Sequence, residues 1–409
     1  MSAATPPRRF ADPAQEASGL LIRLGVAVLA IGVPCGAIFS RRLIFSMMPV
    51  GAALVLLGVV LSPRRADLTR LRELMATPTA LTAFFLLGWV GLTLIWTPFG
   101  HLAAERYFKT AGTLLLAALA AACLPGHTKT SNLYLLPLGL GVAALGTLVT
   151  GVVAPGVSPA PDIESSTLDR AALTLSMLLW PALGALAVRD RWATAGALAV
   201  AVAIAIIAVW TPTALAALSI GAITFSLAIS APQMVGRILG YAFGTLIVMA
   251  PAVPLALAPL CRTSASALAK GLLAAEQIVL DEGWRLVTGH GFDSAQRSIT
   301  IGYLSGNTPR SALFEVWYEF GLVGALGLAV LIVLLFRSAA MAPRPVSAFF
   351  LAGLVCFAII SLAGLVTSQL WWMTLLAVAC VLYALVVKGQ YRTVRPVAKA
   401  ISVEQMKRS

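Results

Sequence analysis

Residues 192–230 read WATAGALAVAVAIAIIAVWTPTALAALSIGAITFSLAIS. Only Thr211-Pro212-Thr213 separates two apolar helices, each of about the 18–20 residues that cross a hydrocarbon core. Helices in lipid must satisfy their own backbone groups, so a proline at that point reads as a tight turn or a kink between them. The same reading extended along the chain finds apolar spans at 19–39, 44–62, 79–97, 107–124, 133–154, 171–188, 192–210, 212–231, 237–258, 311–336, 345–365 and 369–387. The expected fold is therefore all-α: a polytopic integral membrane protein with about 12 transmembrane helices. Short alternating segments, the mark of a β-barrel, are absent. Composition agrees, with 59% hydrophobic and 11% charged residues over 409 and a mean hydropathy of +0.92, outside the usual globular range.

The organisation that follows has five parts. Residues 1–18 read as a disordered cytoplasmic tail, with no small-residue cleavage site after a short apolar core. Spans 1–9 occupy 19–258, a long polar loop 259–310, spans 10–12 occupy 311–387, and a basic tail 388–409 follows. Cations set the orientation. With the N-terminus inside, Arg8, Arg9, Arg64, Arg65, Arg70, Arg72, Lys129, Arg189, Arg191, Arg237, Arg337, Arg344 and the cations after residue 387 are cytoplasmic, most of the 29 Lys and Arg. Both termini are thus expected inside. The net charge of +13 is explained by topology and anionic lipid rather than nucleic acid, because no basic stripe interleaved with aromatics occurs. The five cysteines are scattered without metal-ligand spacing.

Arg41, Arg42, Arg106, Lys109 and Arg170 fall on the opposite face in short loops, and Arg262, Lys270, Arg285, Arg297 and Arg310 in the long one. Cations placed where insertion disfavours them point to an anionic ligand. After Trp96-Thr97-Pro98, Arg106 and Lys109 share a helical face and can grip one anion; snorkelling to lipid headgroups is the alternative. Asp169 can cap the helix that follows it, which puts Arg170 in a first turn. There the dipole already favours an anion, so an arginine is electrostatically awkward unless something negative binds or Asp169 or Glu164 pairs with it.

In the long loop, Ser264–Leu280 has helical spacing with Leu268, Leu272, Ala275 and Val279 as its apolar side. Gly289-His290-Gly291 can present an imidazole into a cleft. Arg310 stands at the start of the next span as Arg170 does at its own. Two such arginines facing one compartment would make a pyrophosphate clamp through forked donors. Glu315 and Glu319, four apart, put two carboxylates on one helix face, where they can orient the arginines, pair with Arg310 or act as a general base.

The order of Trp96-Thr-Pro, Asp169-Arg170-Ala-Ala at a span start, Gly289-His290-Gly291-Phe292 in a long loop and Ala312–Gly324 opening the next span resembles the O-antigen ligase and O-antigen polymerase superfamily of bacterial envelope enzymes. The resemblance implies a glycosyltransferase that needs no metal or cofactor. It implies a location in the bacterial inner membrane with the loop and active site periplasmic. The expected donor is an undecaprenyl-pyrophosphate-linked glycan, and the acceptor is lipid A–core or a growing glycan. Arg170 matches a family arginine, and Lys270 sits where a second basic residue is expected before Gly-His-Gly. One departure stands out: Thr308-Pro309-Arg310-Ser311 occupies the place of a family histidine motif. Either His290 or a carboxylate such as Glu319 takes that part, or Arg310 serves in charge stabilisation. The expected pyrophosphate-binding set is Arg106, Arg170, Lys270, Arg285 and Arg310, and the expected catalytic set His290, Arg310 and Glu319. Ligation to lipid A–core is the first reading, glycan polymerisation the second, and a secondary transporter or flippase the third. Ionisable residues crowded on one face and the lack of an internal repeat count against transport.

Overall fold

The computed structural model describes residues 13–62, 68–125, 130–153, 167–264, 266–281, 283–364 and 369–389. Asp162 and Glu164, most of the N-terminal tail and nearly all of the basic C-terminal tail lie outside the described residues. Within them the protein is helical and contains no strand. The helices are α1 (Pro13–Phe39, with one π-turn at Val28–Gly32), α2 (Arg41–Val60), α3 (Leu68–Met75), α4 (Pro78–Thr93), α5 (Gly100–Cys123), α6 (Leu135–Val153), α7 (Thr167–Ala187), α8 (Trp192–Val209) and α9 (Pro212–Ser230). They continue with α10 (Pro232–Val248), α11 (Ala252–Cys261), α12 (Ala267–Asp281), α13 (Arg285–Thr288), α14 (Ala295–Thr300), α15 (Ala312–Ala340), α16 (Val346–Leu362) and α17 (Leu370–Lys388).

Each apolar segment read from the sequence is a helix, but not every one qualifies as a span. Among the described residues, eight are long and apolar enough to cross a membrane, or nine if α10 and α11, which meet at 70°, form one broken span. Helices α4 and α16 are apolar but shorter, and the first turns of α5 carry His101, Glu105, Arg106 and Lys109. The chain is thus a membrane-embedded polytopic helical protein, and a count of twelve goes beyond what helix length and composition establish. The first helix also starts earlier than expected. Residues 13–18 are helical, and Ser18 is buried with its hydroxyl donating to the Gly58 carbonyl at 2.6 Å.

Helix α7 is the axis of the larger core. It is buried from Arg170 to Ala187, as a helix with apolar residues on all its faces must be. It packs against α6, α8, α9, α16, α17 and the end of α1. Trp180, Leu175, Leu178 and Leu179 of α7 join Phe349 of α16 and Trp372 of α17 in this core. A second, smaller cluster matters more for the site. Phe292, from the long polar segment, packs with Ala103 of α5, Ile247 of α10 and Val316, Phe320 and Ala325 of α15. One apolar ring thereby anchors an otherwise polar stretch into the bundle.

The anchoring depends on a break in α15. Gly321 has φ +62° and ψ −161°, outside the helical region, so the carbonyls just before it lose their usual intrahelical donors. Other groups take them. His290 N–H donates to the Tyr318 carbonyl at 2.8 Å and Gly291 N–H to the Glu319 carbonyl at 2.9 Å. Trp89 Nε1–H donates to the Phe320 carbonyl at 3.0 Å. The approach is close enough that a Cβ at Gly289 (φ +73°) would overlap the Glu319 carbonyl, and one at Gly321 would overlap that of Val287. Two glycines from distant parts of the chain make this junction possible.

A cation-lined cavity at one end of the bundle

The starts of α2, α5, α7 and α17 converge on a cavity of about 920 Å³. Arg41 and Arg42 open α2, where Ser40 Oγ caps the helix by accepting from Arg42 N–H at 3.2 Å. Arg106 and Lys109 come from successive turns of α5, Arg170 from the first turns of α7, and Arg297 from α14. Among the described residues, six cationic side chains line this space with a single carboxylate, Glu105, which accepts from Lys109 Nζ at 2.5 Å. Gln296, Thr300 and Gln369 add neutral polar groups, and Phe99 and Trp371 add aromatic surface. Helix starts already carry a positive field, so cations gathered on several of them favour an anion among them.

Arg170 is buried, with Nε donating to the Ala37 carbonyl at 3.4 Å. Its neighbour Asp169 differs from expectation. Helix α7 begins at Thr167, so Asp169 lies in the first turn rather than capping from outside, and its carboxylate accepts from Thr211 Oγ1 at 2.7 Å. That bond ties the start of α7 to the Thr211-Pro212 turn, which explains why a polar pair sits between two apolar helices.

Gln296 and Arg297 line the cavity, and the buried residues 292–295 lead into them. Both backbone groups of Phe292 are satisfied by the end of α4: its N–H donates to Thr93 Oγ1 at 3.1 Å, and its carbonyl accepts from Thr97 Oγ1 at 3.1 Å. Asp293 is wholly buried with φ +64°. Its carboxylate pairs with Arg106 on one oxygen and with Arg297 Nε, at 2.6 Å, on the other. Ser294 Oγ donates to the Gly291 carbonyl at 2.6 Å, and Glu319 Oε1 accepts from Ala295 N–H at 3.1 Å.

The remaining expected residues lie elsewhere. His290 and Arg285 line a second cavity of about 230 Å³, walled mainly by apolar residues of α10–α12 and the first turns of α15. There the His290 ring stacks on Tyr318 with centroids 4.2 Å apart, and its Nδ1 lies 3.2 Å from the Tyr318 carbonyl. Lys270 is exposed on α12 and lines neither cavity. Arg310 is half-buried and also lines neither, so it does not share a cavity with Arg170 as a clamp would need. Glu315 and Glu319 are buried rather than lining either space. Glu319 instead fixes the start of α14 from behind. Helix α12 turns Leu272, Ala275 and Val279 toward the second cavity, while Leu268 is exposed.

The sequence reading did not single out Arg41, Arg42, Arg297 or Asp293 as site residues. For the first two a signal was present, because every cation of the short loops on that face lines the larger cavity. Asp293 had none, since its role depends on two arginines from different helices. Among the described residues, no group of three or more His, Cys, Asp or Glu side chains is placed to hold a metal ion. No family model matches the chain, and no curated protein or solved structure matches it either.

Proposed function

We propose that this protein is a bacterial inner-membrane glycosyltransferase. It takes a glycan from an undecaprenyl-pyrophosphate carrier and transfers it to an acceptor sugar, with ligation to lipid A–core as the first assignment. The observation that supports this reading is the meeting of six cations and four helix starts around one cavity. A lipid pyrophosphate is an anion that such a concentration of cations favours. A membrane-embedded bundle also suits a donor whose carrier is an isoprenoid chain. In the accompanying topology all twelve apolar segments cross the membrane. Both termini and the Arg189–Arg191 and Arg337–Arg344 turns are cytoplasmic, and the cavity faces the periplasm.

The chemistry follows from the wall. The acceptor hydroxyl attacks the anomeric carbon, the bond from that carbon to the pyrophosphate oxygen breaks, and the negative charge on the departing pyrophosphate grows. Fixed guanidinium groups aimed at that charge lower the barrier without reorganising. Glu105 is the carboxylate on the wall and takes the acceptor's proton. His290, in the apolar cavity, has no part in this step.

The test is a reconstituted reaction. Purified protein is incubated with a lipid-linked glycan and lipid A–core, and the products are separated by size and by lipid. Glycan on the core sugar supports ligation. Glycan lengthened on its carrier makes the protein a polymerase with the same donor chemistry. Glycan moved across the bilayer of a vesicle without changing its covalent partner would replace the reading with transport.

A further inference from the structure

We propose that Asp293 is a positioning residue: it sets the spacing and orientation of two guanidinium groups, those of Arg106 and Arg297, toward an anion in the larger cavity. The inference rests on reading that cavity as an anion site.

Asp293 joins arginines of two different helices. Arg106 belongs to α5 and Arg297 to the short α14, elements far apart in sequence. One carboxylate, wholly buried, engages both: one oxygen takes Arg106 Nη1–H, and the other takes Arg297 Nε–H at 2.6 Å. A guanidinium carries five N–H donors in a fixed plane. Each arginine therefore commits one edge to Asp293 and keeps the rest of its fork for the cavity, where the side chains are 35% and 28% exposed. A planar group held along one edge has few orientations left, which is what bidentate contact with phosphate oxygens needs.

The carboxylate is itself fixed. At φ +64° its backbone lies in the left-handed region, which aspartate enters more readily than most side chains but where it still needs its surroundings to hold it. The surroundings here do so. Thr93 and Thr97 hold the backbone of Phe292, Ser294 bonds back to Gly291, and the Glu319 carboxylate holds the N–H of Ala295. A buried ion pair is a poor device for stability alone, since desolvation offsets much of the attraction. A shared carboxylate on an over-determined loop does serve to hold two cations of like charge side by side.

The experiment uses the full chain, purified, and measures binding of inorganic pyrophosphate by calorimetry at low salt. Asp293→Asn is expected to weaken binding about tenfold on its own and not to weaken it further in an Arg106→Gln/Arg297→Gln background, where neither guanidinium is left to place. A residue that served folding alone would shift the thermal midpoint in every background and leave the two effects on pyrophosphate additive. Should Asp293→Asn not accumulate, Arg297→Lys carries the question, because it keeps the charge but not the held fork. Its expected loss matches that of Arg297→Gln. Wild-type affinity in Asp293→Asn or in Arg297→Lys overturns the positioning role. No pyrophosphate binding by the wild-type protein overturns the anion-site reading beneath it, a distinct result.

Discussion

The two cavities share the segment 289–297, with His290 on the smaller and Arg297 on the larger, yet they are built from opposite materials. The larger collects cations from the starts of three long helices and one short one. The smaller is walled by apolar side chains around the break between α10 and α11, with Arg285, His290 and Tyr318 as its titratable groups. The difference teaches where charge in such a chain gathers. Cations on rigid helix starts converge, whereas those on the long polar segment disperse: Arg262 pairs with Glu276 at 3.6 Å, Lys270 points away from both cavities, and Arg297 joins the cluster through Asp293.

The comparison can be broken most sharply at Arg170. Arg170→Ala should lower the transfer rate by about 10²–10³-fold, the usual cost of removing one donor from a developing anion, with normal protein in the membrane. His290→Ala should change that rate less than about threefold under the same assignment. An equal loss in both would merge the two cavities into one functional unit. Next in size is the junction the cavities share. Gly289→Ala forces a side chain against the Glu319 carbonyl at φ +73°, which costs of order 1–3 kcal/mol or more of backbone strain. Its measure is a lower thermal midpoint and less folded protein, whereas unaltered unfolding would show the junction to be slack.

A smaller effect tests the wall alone. Thr93→Val keeps shape but removes the acceptor for Phe292 N–H, so stability should fall by about 1–3 kcal/mol, as for a buried donor left unsatisfied. Transfer should fall with it because the loop carrying Asp293 loosens. The smallest change is expected at Lys270. It is exposed and lines neither cavity, so Lys270→Ala should stay within about 0.5 kcal/mol in stability and leave transfer unaltered. A large loss at Lys270 would restore the long polar segment as the seat of the anion site.

Much of this architecture was legible in the chain. Continuous apolar runs between polar breaks mark the helices, because a backbone in lipid has few other ways to satisfy itself. Sorting cations by face also grouped Arg41, Arg42, Arg106, Lys109 and Arg170 before any coordinates. What stayed hidden is three-dimensional. The helix break at Gly321 lets residues 289–291 dock on α15, and nothing in the local pattern of Trp317-Tyr-Glu-Phe-Gly321 announces a positive φ inside a helix. The same docking turns His290 toward Tyr318 and Arg297 toward α5, a division that eight residues of sequence cannot reveal. Arg310 and Arg170 looked equivalent because both stand at helix starts, but α7 opens onto the larger cavity and α15 does not.

The central claim is that a lipid pyrophosphate sits among the cations of the larger cavity. Arginine-selective modification of the purified protein by phenylglyoxal, with and without undecaprenyl pyrophosphate and read residue by residue by mass spectrometry, tests it directly. The account predicts protection of Arg41, Arg42, Arg106 and Arg297, with Arg262 and Arg285 modified as before. Protection confined to Arg285, or none at any cavity arginine, would contradict it.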